Sequence, residues 1–266
     1  MKKLTIITIN YNNAIGLKKT IQSIIEQSFL DFEYIVIDGG STDDSVSIIK
    51  EYENKIHYWV SEKDKGIYNA MNKGIEKATS EYVLFVNSGD YLFSNSVIEK
   101  SISYLNDIDL ITFDLECLSD TKKYLFPAPD VLKFSNLYFG TLPHPSTFIK
   151  RKLFNQIGYY DETLKIVSDW KFFILALYKF DCSYLKVNQV LTTFCLDGVS
   201  STQDFSHERK LVLKEFFPDF IEDYSDLAKF KSQSKTKGYK LLVTIEKYSF
   251  GRKMLSFFYR IINLFR

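Results

Sequence analysis

The sequence has 266 residues with a formal net charge of +1, and 45% of its residues are hydrophobic. This composition supports a sizeable core and excludes general disorder, and the length fits one large domain or a domain with a tail. No stretch has the roughly 20 apolar residues that span a bilayer. The apolar run Leu4–Ile9 is too short for a secretory signal, and the three cysteines are scattered, so we expect a cytoplasmic protein with reduced thiols.

The first half of the chain alternates short apolar runs with segments of helical periodicity. The apolar runs predict strands over Leu4–Ile9, Tyr34–Ile37, His57–Val60 and Tyr82–Val86. Helices are predicted after each strand, with Thr42 or Asp43 capping the second and Ser96 capping the fourth. This alternation predicts an α/β fold in which a mostly parallel, Rossmann-like sheet carries helices on both faces.

The second half of the chain is less regular. Strands are predicted over Ile108–Leu115 and Val187–Phe194, and a helix is predicted from Ser168 to Tyr178. The segment Phe126–Pro145 holds four of the five prolines and is predicted to be mainly loop.

Polar clusters follow three of the predicted strands. They are Asn10-Tyr11-Asn12-Asn13, Asp38-Gly39-Gly40-Ser41 and Asn87-Ser88-Gly89-Asp90. Because open α/β sheets bind ligands outside the carboxyl ends of their strands, these clusters predict a crevice for a phosphate-bearing ligand, often with a metal. The sequence has no G-x-G-x-x-G and no P-loop, so it favours a nucleotide-using enzyme of another kind.

A fourth polar segment, Ser61–Gly74, is dense in side chains that bind polar ligands. Asn69 and Asn72 share a helix face, and Gly66 would let the backbone approach a ligand near the helix start. A polar helix cap followed by a solvated face is the alternative here.

Four motifs occur in order along the chain: Thr8-x-Asn10-Tyr11-Asn12, Ile37–Asp43, Glu62-x-Asp64-x-Gly66-Ile67-Tyr68-x-Ala70-x-Asn72 and Phe85–Asp90. Together, over roughly residues 3–200, they resemble the family 2 glycosyltransferases of the GT-A fold. Within that family the resemblance is to the bacterial branch that builds capsule, O-antigen or exopolysaccharide. It implies inverting transfer from a nucleotide-diphosphate sugar, expected to be UDP-linked, to a glycan or polyprenyl-linked acceptor.

The resemblance also implies roles for single residues. A nucleotide pocket would be formed by nine residues of the first three motifs, with Asp38 and Asp64 nearest the base: Thr8, Asn10, Tyr11, Asp38, Ser41, Asp64, Gly66, Asn69 and Asn72.

A metal ligand is implied at the fourth motif. The family's D-x-D aspartates bind a divalent cation on the donor diphosphate, whereas here Asn87 and Gly89 stand in their places and Asp90 follows. One or two carboxylates with phosphates and waters suffice for Mg²⁺, so Asp90 is the predicted ligand for Mg²⁺ or Mn²⁺ and Asn87 a predicted contact to sugar or ribose. The alternative for Asp90 is a turn or a helix cap.

Three further assignments come from the resemblance. Ser168-Asp169-Trp170 resembles the family's acid-bearing motif, which implies that Asp169 is the general base; an acid that only stabilises the helix N-terminus is the alternative. His144, on a proline-braced loop, is predicted near the donor phosphates or the acceptor, with a purely structural histidine as the alternative. The segment Asp197–Ser201 resembles a Gly-rich loop that closes over the donor, or is a plain turn.

The C-terminal segment is strongly basic. Residues 229–266 carry ten Lys or Arg and one acid, against 24 and 32 in the rest of the chain. We expect a catalytic domain over 1–228, with a nucleotide-binding half of about 1–115 and an acceptor half of about 116–228, and a basic amphipathic tail over 229–266. Within the tail, residues 254, 257, 258, 261 and 265 share one helical face.

The tail predicts a partner for this protein. A basic amphipathic helix suits an anionic membrane surface, which predicts peripheral attachment to the inner membrane. Packing of the tail on the catalytic domain or on a second subunit, in a homo-oligomer, is the alternative. No nucleic-acid-binding module accompanies the charge, so nucleic acid is not a predicted partner.

Two other functions remain open at this point. A sugar nucleotidyltransferase would need a Gly-rich basic loop after the first strand, where this chain has Asn10-Tyr11-Asn12-Asn13. A non-catalytic glycan-binding or scaffold protein of the same fold would fit the incomplete D-x-D motif.

Overall fold

The computed structural model describes residues 2–119, 121–196 and 205–264. The chain forms two compact units, Met1–Val212 and Leu213–Arg266. The predicted loop over 197–201, together with Phe265 of the predicted tail face, lies outside the described residues.

The first four strands are parallel and lie in the order β3-β2-β1-β4. They are β1 (Leu4–Asn10), β2 (Glu33–Asp38), β3 (Tyr58–Ser61) and β4 (Tyr82–Phe85). The helices between them are α1 (Ala14–Ile25), α2 (Ser45–Glu51) and α3 (Ile67–Lys77). The four strands match the predicted ones within one residue at each end, and a helix follows each of the first three strands as predicted.

The later strands make the sheet mixed. Its order continues from β4 through β8, β6 and β9 to β5, and β7 pairs with β6; of these pairings only β6–β9 is parallel among the described residues. The elements are β5 (Tyr91–Leu92), α4 (Val97–Ser101), β6 (Leu110–Leu118), β7 (Lys123–Phe126), α5 (Phe134–Phe139), β8 (Thr147–Lys150), α6 (Lys152–Gln156), α7 (Ser168–Tyr178), β9 (Tyr184–Cys195) and α8 (Ser206–Phe216). The mostly parallel sheet is thus a property of the first four strands.

Several local predictions need correction. The predicted loop Phe126–Pro145 contains α5, a helix of six residues. Ser96 makes no capping hydrogen bond, and α4 ends after one turn and passes into a 3-10 turn. Asp44, not Thr42 or Asp43, is the cap residue of α2, although the Asp43 carboxylate accepts the Ser45 N–H at 3.1 Å.

Helices cover both faces of the parallel strands. Leu17 and Ile21 of α1 belong to one buried cluster with Ile6 of β1 and Val36 of β2. Gly74 of α3 lies on the opposite face, where a Cβ would come within 2.6 Å of Ile7 Cγ2. Because neighbouring strand residues point to opposite faces, a strand that is covered on both sides is buried along its whole length, as β1 and β4 are.

The C-terminal unit is helical. Its helices are α9 (Ile221–Ser234), α10 (Lys237–Glu246) and α11 (Ser249–Leu264). Thr236 caps α10, and the turn into α11 is tight, since a Cβ at Gly251 would come within 2.2 Å of the Ile245 carbonyl oxygen. In the part of the chain that the structure describes, none of the helices combines the length and apolarity needed to cross a membrane.

Candidate active site

We call the polar segments that follow β1, β2, β3 and β4 the polar rim. A buried carboxylate at the end of β2 holds several of its residues in place. Asp38 is fully buried and accepts four hydrogen bonds. Its Oδ1 accepts from Asn10 Nδ2 at 2.7 Å and the Ser41 hydroxyl at 2.6 Å, and its Oδ2 accepts from the Ser41 N–H at 2.9 Å and the Ser61 hydroxyl at 2.6 Å. Burial alone would raise the pKa of Asp38, but these donors outweigh it and lower the pKa.

Two predicted ligand contacts therefore lie beneath the rim. All the hydrogen bonds of Asp38 go to the protein, so its geometry does not support direct reading of the base. Thr8 is also fully buried, and its hydroxyl donates to the Val86 carbonyl oxygen at 2.8 Å. Both residues hold neighbouring strand ends together through these hydrogen bonds, and a direct contact of either with a ligand stays a prediction.

Over the residue ranges that the structure describes, the side chain of Asn10 has one unpaired polar atom. Its Nδ2 is bound to Asp38, but its buried Oδ1 has no hydrogen-bond partner among the described residues. Because a buried acceptor without a donor is costly, this oxygen calls for a ligand group or a water.

The most exposed part of the rim joins the loops after β1, β2 and β3. Tyr11 is 68% exposed. A Cβ at Gly39 would lie 3.3 Å from the Tyr11 ring and 3.0 Å from Asp64 Oδ2, so a larger residue here would press on both side chains. Asp64 Oδ1 is paired with Lys73 Nζ, which also contacts Glu62 at 2.7 Å. The structure thus brings four of the predicted site residues close together: Asn10, Tyr11, Ser41 and Asp64.

The segment after β4 is a tight turn that packs on α1. The Asp90 N–H donates to the Asn87 carbonyl oxygen at 2.9 Å, and Gly89 has φ +105°, which favours glycine. Thr20 of α1 donates to the Asp90 carbonyl oxygen at 2.6 Å. Asp90 Oδ1 accepts the Cys195 N–H at 3.0 Å, whereas the buried Asn87 Oδ1 has no partner among the described residues.

Asn69 and Asn72 attach α3 to the loop before α7. Both donate to the Glu162 carboxylate, at 3.0 and 2.9 Å. Asn72 is buried and also exchanges hydrogen bonds with the backbone of Tyr160, at 2.9 and 3.0 Å. Both amide hydrogens of Asn72 are used inside the protein, where they hold α3 to the segment before α7, and the ligand contact at Asn72 stays a prediction. Gly66, at φ +133°, begins α3.

Asp169 lies in the first turn of α7 and is partly exposed. The Tyr68 hydroxyl lies within hydrogen-bond distance of Asp169 Oδ1, at 2.9 Å, and of the Ile166 carbonyl oxygen. Among the described residues Asp169 Oδ2 accepts no hydrogen bond from the protein, so one oxygen of this carboxylate is held and the other is available.

His144 lies in an aromatic cluster and not on the polar rim. It is buried, stacks on Phe85 with ring centroids 4.9 Å apart, and its Nε2 lies 2.8 Å from the Tyr160 hydroxyl. Burial lowers its pKa, so the ring is neutral near pH 7. This position favours the structural alternative for His144.

Sequence reasoning missed two residues of α8 that stabilise this region. The Glu208 carboxylate accepts the backbone N–H groups of Lys165 and Ile166 at 2.8 and 3.1 Å. The Arg209 guanidinium lies 4.8 Å from the Trp170 ring centroid, and burial lowers its pKa to about 10. The available signal in the sequence was the adjacent acid and base, Glu208 and Arg209, a few residues after the segment 197–201.

Comparisons with known proteins agree with this architecture. The profile "Glycosyl transferase family 2" matches residues 5–137, half of the chain. A glycosyltransferase of Mycobacterium tuberculosis is 31% identical over 206 residues, covering 76% of this chain and 78% of that protein. A PGL/p-HBAD biosynthesis glycosyltransferase of Mycobacterium bovis is 28% identical over 174 residues, covering 63% of this chain and 67% of that protein.

Solved structures support the fold. Staphylococcus aureus TarS in complex with UDP-GlcNAc superposes with a TM-score of 0.65 at 18% identity; the match covers 80% of this chain and spans 64% of that structure. A mannosyltransferase of Pyrobaculum calidifontis, in complex with GDP-Man and Mn²⁺, gives 0.55 at 13% identity, covering 95% of this chain and 86% of that one.

The fold and its rim define a GT-A-like glycosyltransferase, which confirms the predicted fold class and enzyme class. The chain belongs to glycosyl transferase family 2.

The buried charge of Asp38 generates a stability prediction. We expect Asp38→Asn to lower the free energy of unfolding by about 2–3 kcal/mol at pH 7, because charge-assisted hydrogen bonds are lost and an amide N–H₂ meets a donor. The folded-state pKa of Asp38 lies below its unfolded value, so its stabilisation is complete above about pH 4 and disappears as pH falls through the folded pKa. Urea unfolding should therefore show the difference shrinking in acid.

Asp44→Asn is the matched control, since Asp44 is exposed in the same loop and its side chain caps nothing. We expect it to change the unfolding free energy by less than about 0.5 kcal/mol. A difference between wild type and Asp38→Asn that does not shrink in acid would contradict the assignment of the charge.

Proposed function

We propose that this protein transfers a sugar, with inversion, from a nucleotide-diphosphate sugar to a glycan or polyprenyl-linked acceptor of a bacterial surface polysaccharide. The observation that carries the proposal is the carboxylate of Asp169, in which Oδ1 is hydrogen-bonded to Tyr68 and Oδ2 has no protein donor among the described residues. Tyr68 belongs to α3, the helix that follows the polar loop after β3. Membership of family 2 supports transfer over the two alternatives, a nucleotidyltransferase and a non-catalytic scaffold. A relative bound to UDP-GlcNAc makes a UDP-linked donor the first choice.

The rim offers groups for a nucleotide. Tyr11 presents an exposed ring for the base, Asn10 Oδ1 is an unpaired acceptor, and the Asp64–Lys73 pair lies beside Gly39 with both charges partly exposed. Ser41 is held by Asp38 and fixes the loop on which these groups depend. This part of the rim is preorganised, because one buried charge already orients the side chains of Asn10 and Ser41.

The segment after β4 could hold a divalent cation that takes part of its coordination from the protein and the rest from the donor. Among residues 2–119, 121–196 and 205–264 no three His, Cys, Asp or Glu side chains come close enough to hold a metal on their own. Asp90 supplies one carboxylate, and the orphaned Asn87 Oδ1 supplies a neutral oxygen three residues away in the same turn. Mg²⁺ or Mn²⁺ held by Asp90 would need phosphate oxygens and waters to fill its coordination, and would neutralise charge on the leaving diphosphate.

Asp169 is the proposed general base. In an inverting displacement the acceptor hydroxyl attacks the anomeric carbon while the bond to the diphosphate breaks, and the hydroxyl proton passes to a carboxylate. Asp169 Oδ2 is suited to that task because Oδ1 is fixed by Tyr68 and Oδ2 is left without a protein donor in the described part of the chain.

Replacement of Asp169 tests the reaction. We expect Asp169→Asn to reduce kcat by at least about 100-fold, because general-base catalysis contributes about that much, while the donor KM stays unchanged. Release of nucleoside diphosphate from a panel of UDP-, GDP- and dTDP-sugars with Mn²⁺ provides the measurement. Glu76→Gln, an exposed acid on α3, is the control. Near-normal turnover of Asp169→Asn would remove Asp169 from the mechanism.

A thermal-shift screen tests the shared cation site. A ligand that binds only the folded protein raises Tm, so the right nucleotide sugar should raise it more with Mn²⁺ than alone. Asp90→Ala should lose the Mn²⁺-dependent increment and keep the shift produced by the sugar nucleotide alone. An undiminished Mn²⁺ increment in that variant would rule out Asp90 as the ligand.

The C-terminal unit is the proposed membrane contact, which gives a peripheral location at the inner membrane. In α11 the side chains of Phe250, Phe257 and Phe258 are 79%, 61% and 52% exposed, and Leu241 and Leu242 of α10 are 61% and 48% exposed. Basic residues lie close to these side chains along the two helices: Lys240, Lys247, Arg252, Lys253 and Arg260. An apolar face flanked by cations suits the interface of an anionic bilayer.

Vesicle sedimentation tests this contact. The full chain should sediment with vesicles of 30% phosphatidylglycerol in phosphatidylcholine and much less with phosphatidylcholine alone. Because each basic residue near the surface contributes about 1 kcal/mol, Arg252→Glu/Lys253→Glu/Arg260→Glu should weaken binding at least about tenfold. Phe257→Ser/Phe258→Ser should weaken it as well, by loss of buried apolar area.

Lys50→Glu/Lys55→Glu/Lys100→Glu is the matched control, because it changes the net charge equally through exposed bases of the first unit. We expect it to retain vesicle binding. Equal loss in this control would show that net charge alone drives association. Sedimentation as a dimer without vesicles, abolished by Phe257→Ser/Phe258→Ser, would instead show that a second copy covers the face.

A further inference from the structure

Tyr68 joins two acceptors with a single hydroxyl. The residue is 5% exposed in the first turn of α3, and its ring lies 5.7 Å from that of Tyr160. The hydroxyl lies between Asp169 Oδ1, at 2.9 Å, and the Ile166 carbonyl oxygen. Since a phenol has one hydrogen, it serves whichever of the two oxygens is the stronger acceptor.

This hydroxyl stays a donor across the working range. Burial and the charge of Asp169 both raise the pKa of Tyr68. The phenol therefore does not lose its proton during turnover, and it cannot be the base itself. A donor of fixed position beside a carboxylate sets the orientation of that carboxylate.

The other titratable groups near Asp169 come from three further elements. They are His144 before β8, Tyr160 before α7 and Arg209 of α8. His144 is kept neutral by burial, the pKa of Tyr160 is raised by burial, and Arg209 remains a cation. In the described part of the chain, none of these three groups hydrogen-bonds to Asp169, whereas Tyr68 does.

We infer that Tyr68 is a positioning residue that holds Asp169 by Oδ1, so that Oδ2 takes the acceptor proton, and that its hydrogen then turns to the Ile166 carbonyl. The inference rests on the proposed role of Asp169 as base. When Asp169 is ionised, Oδ1 is the stronger acceptor and the phenol donates to it. Once Oδ2 has received the proton from the acceptor hydroxyl, the carboxyl group is neutral and the phenolic hydrogen moves to the Ile166 oxygen. Tyr68 keeps its own proton throughout, so the proton balance is that of the acceptor and Asp169 alone.

Tyr68→Phe tests the inference through the pH profile of kcat. Loss of a donor that favours the ionised carboxylate should move the acid limb to higher pH by roughly half to one unit and lower the plateau roughly tenfold. The donor KM should stay within about twofold, because the ring and the rim are retained. Rates of nucleoside diphosphate release between pH 5 and 9 give all three quantities.

Tyr82→Phe is the matched control, because its buried hydroxyl donates to the Ile108 carbonyl oxygen at 2.7 Å, at the start of β4 and away from the rim. It should leave the limb unmoved. Site-specific 3-fluorotyrosine at position 68, a stronger donor, should move the limb to lower pH, which a merely structural role would not do. A wild-type limb in both Tyr68 variants, with Asp169→Asn inactive, would overturn the inference and leave the proposed base intact. An active Asp169→Asn would instead overturn the base and the inference with it.

Discussion

The buried negative charge of Asp38 is the constraint on which the rim depends. A carboxylate with no exposed surface stays ionised only if donors surround it, and here they come from the end of β1, the loop after β2 and the end of β3. Three strand ends are thereby tied to one pair of oxygens. The positions of Tyr11, Asn10 Oδ1 and Asp64 follow from that tie, since each belongs to a segment that Asp38 fixes or that abuts Gly39.

Helix α3 connects the polar rim to the segment that contains Asp169. Gly74 lets the helix approach β1 closely, and its start, after Gly66, lies next to the segment that carries Asp64. From the same helix Asn72 fixes the backbone at Tyr160, and Tyr68 reaches Asp169. The proposed base is therefore positioned by a side chain of α3, so a displacement of α3 would disturb the proposed donor site and the proposed base together.

The sequence predicted the parallel strands and α7 well because buried strands and amphipathic helices leave periodic patterns. It did not predict β5, a strand of two residues, or the antiparallel pairings, which depend on partners far away in the chain. At the site it predicted a set of polar residues but not which way each of them faces. Thr8, Asp38 and Asn72 are polar in the same manner as Asn10, and only the complete hydrogen-bond network shows that the first three are used internally. The contact of Thr20 with the Asp90 carbonyl oxygen was not predicted, because a threonine on the apolar face of a helix gives no indication of such a contact.

The incomplete acidic motif after β4 has a physical consequence on the proposed function. A site with the Asp90 carboxylate and the neutral Asn87 oxygen attracts a cation less than a site with two carboxylates, because one negative charge is missing. On the proposed function, the donor diphosphate would supply the remaining charge, and cation and donor would each raise the affinity for the other by the same factor. Asn87 in the place of an aspartate would then lower the affinity of the donor-free protein for the cation, so that cation and donor would bind together.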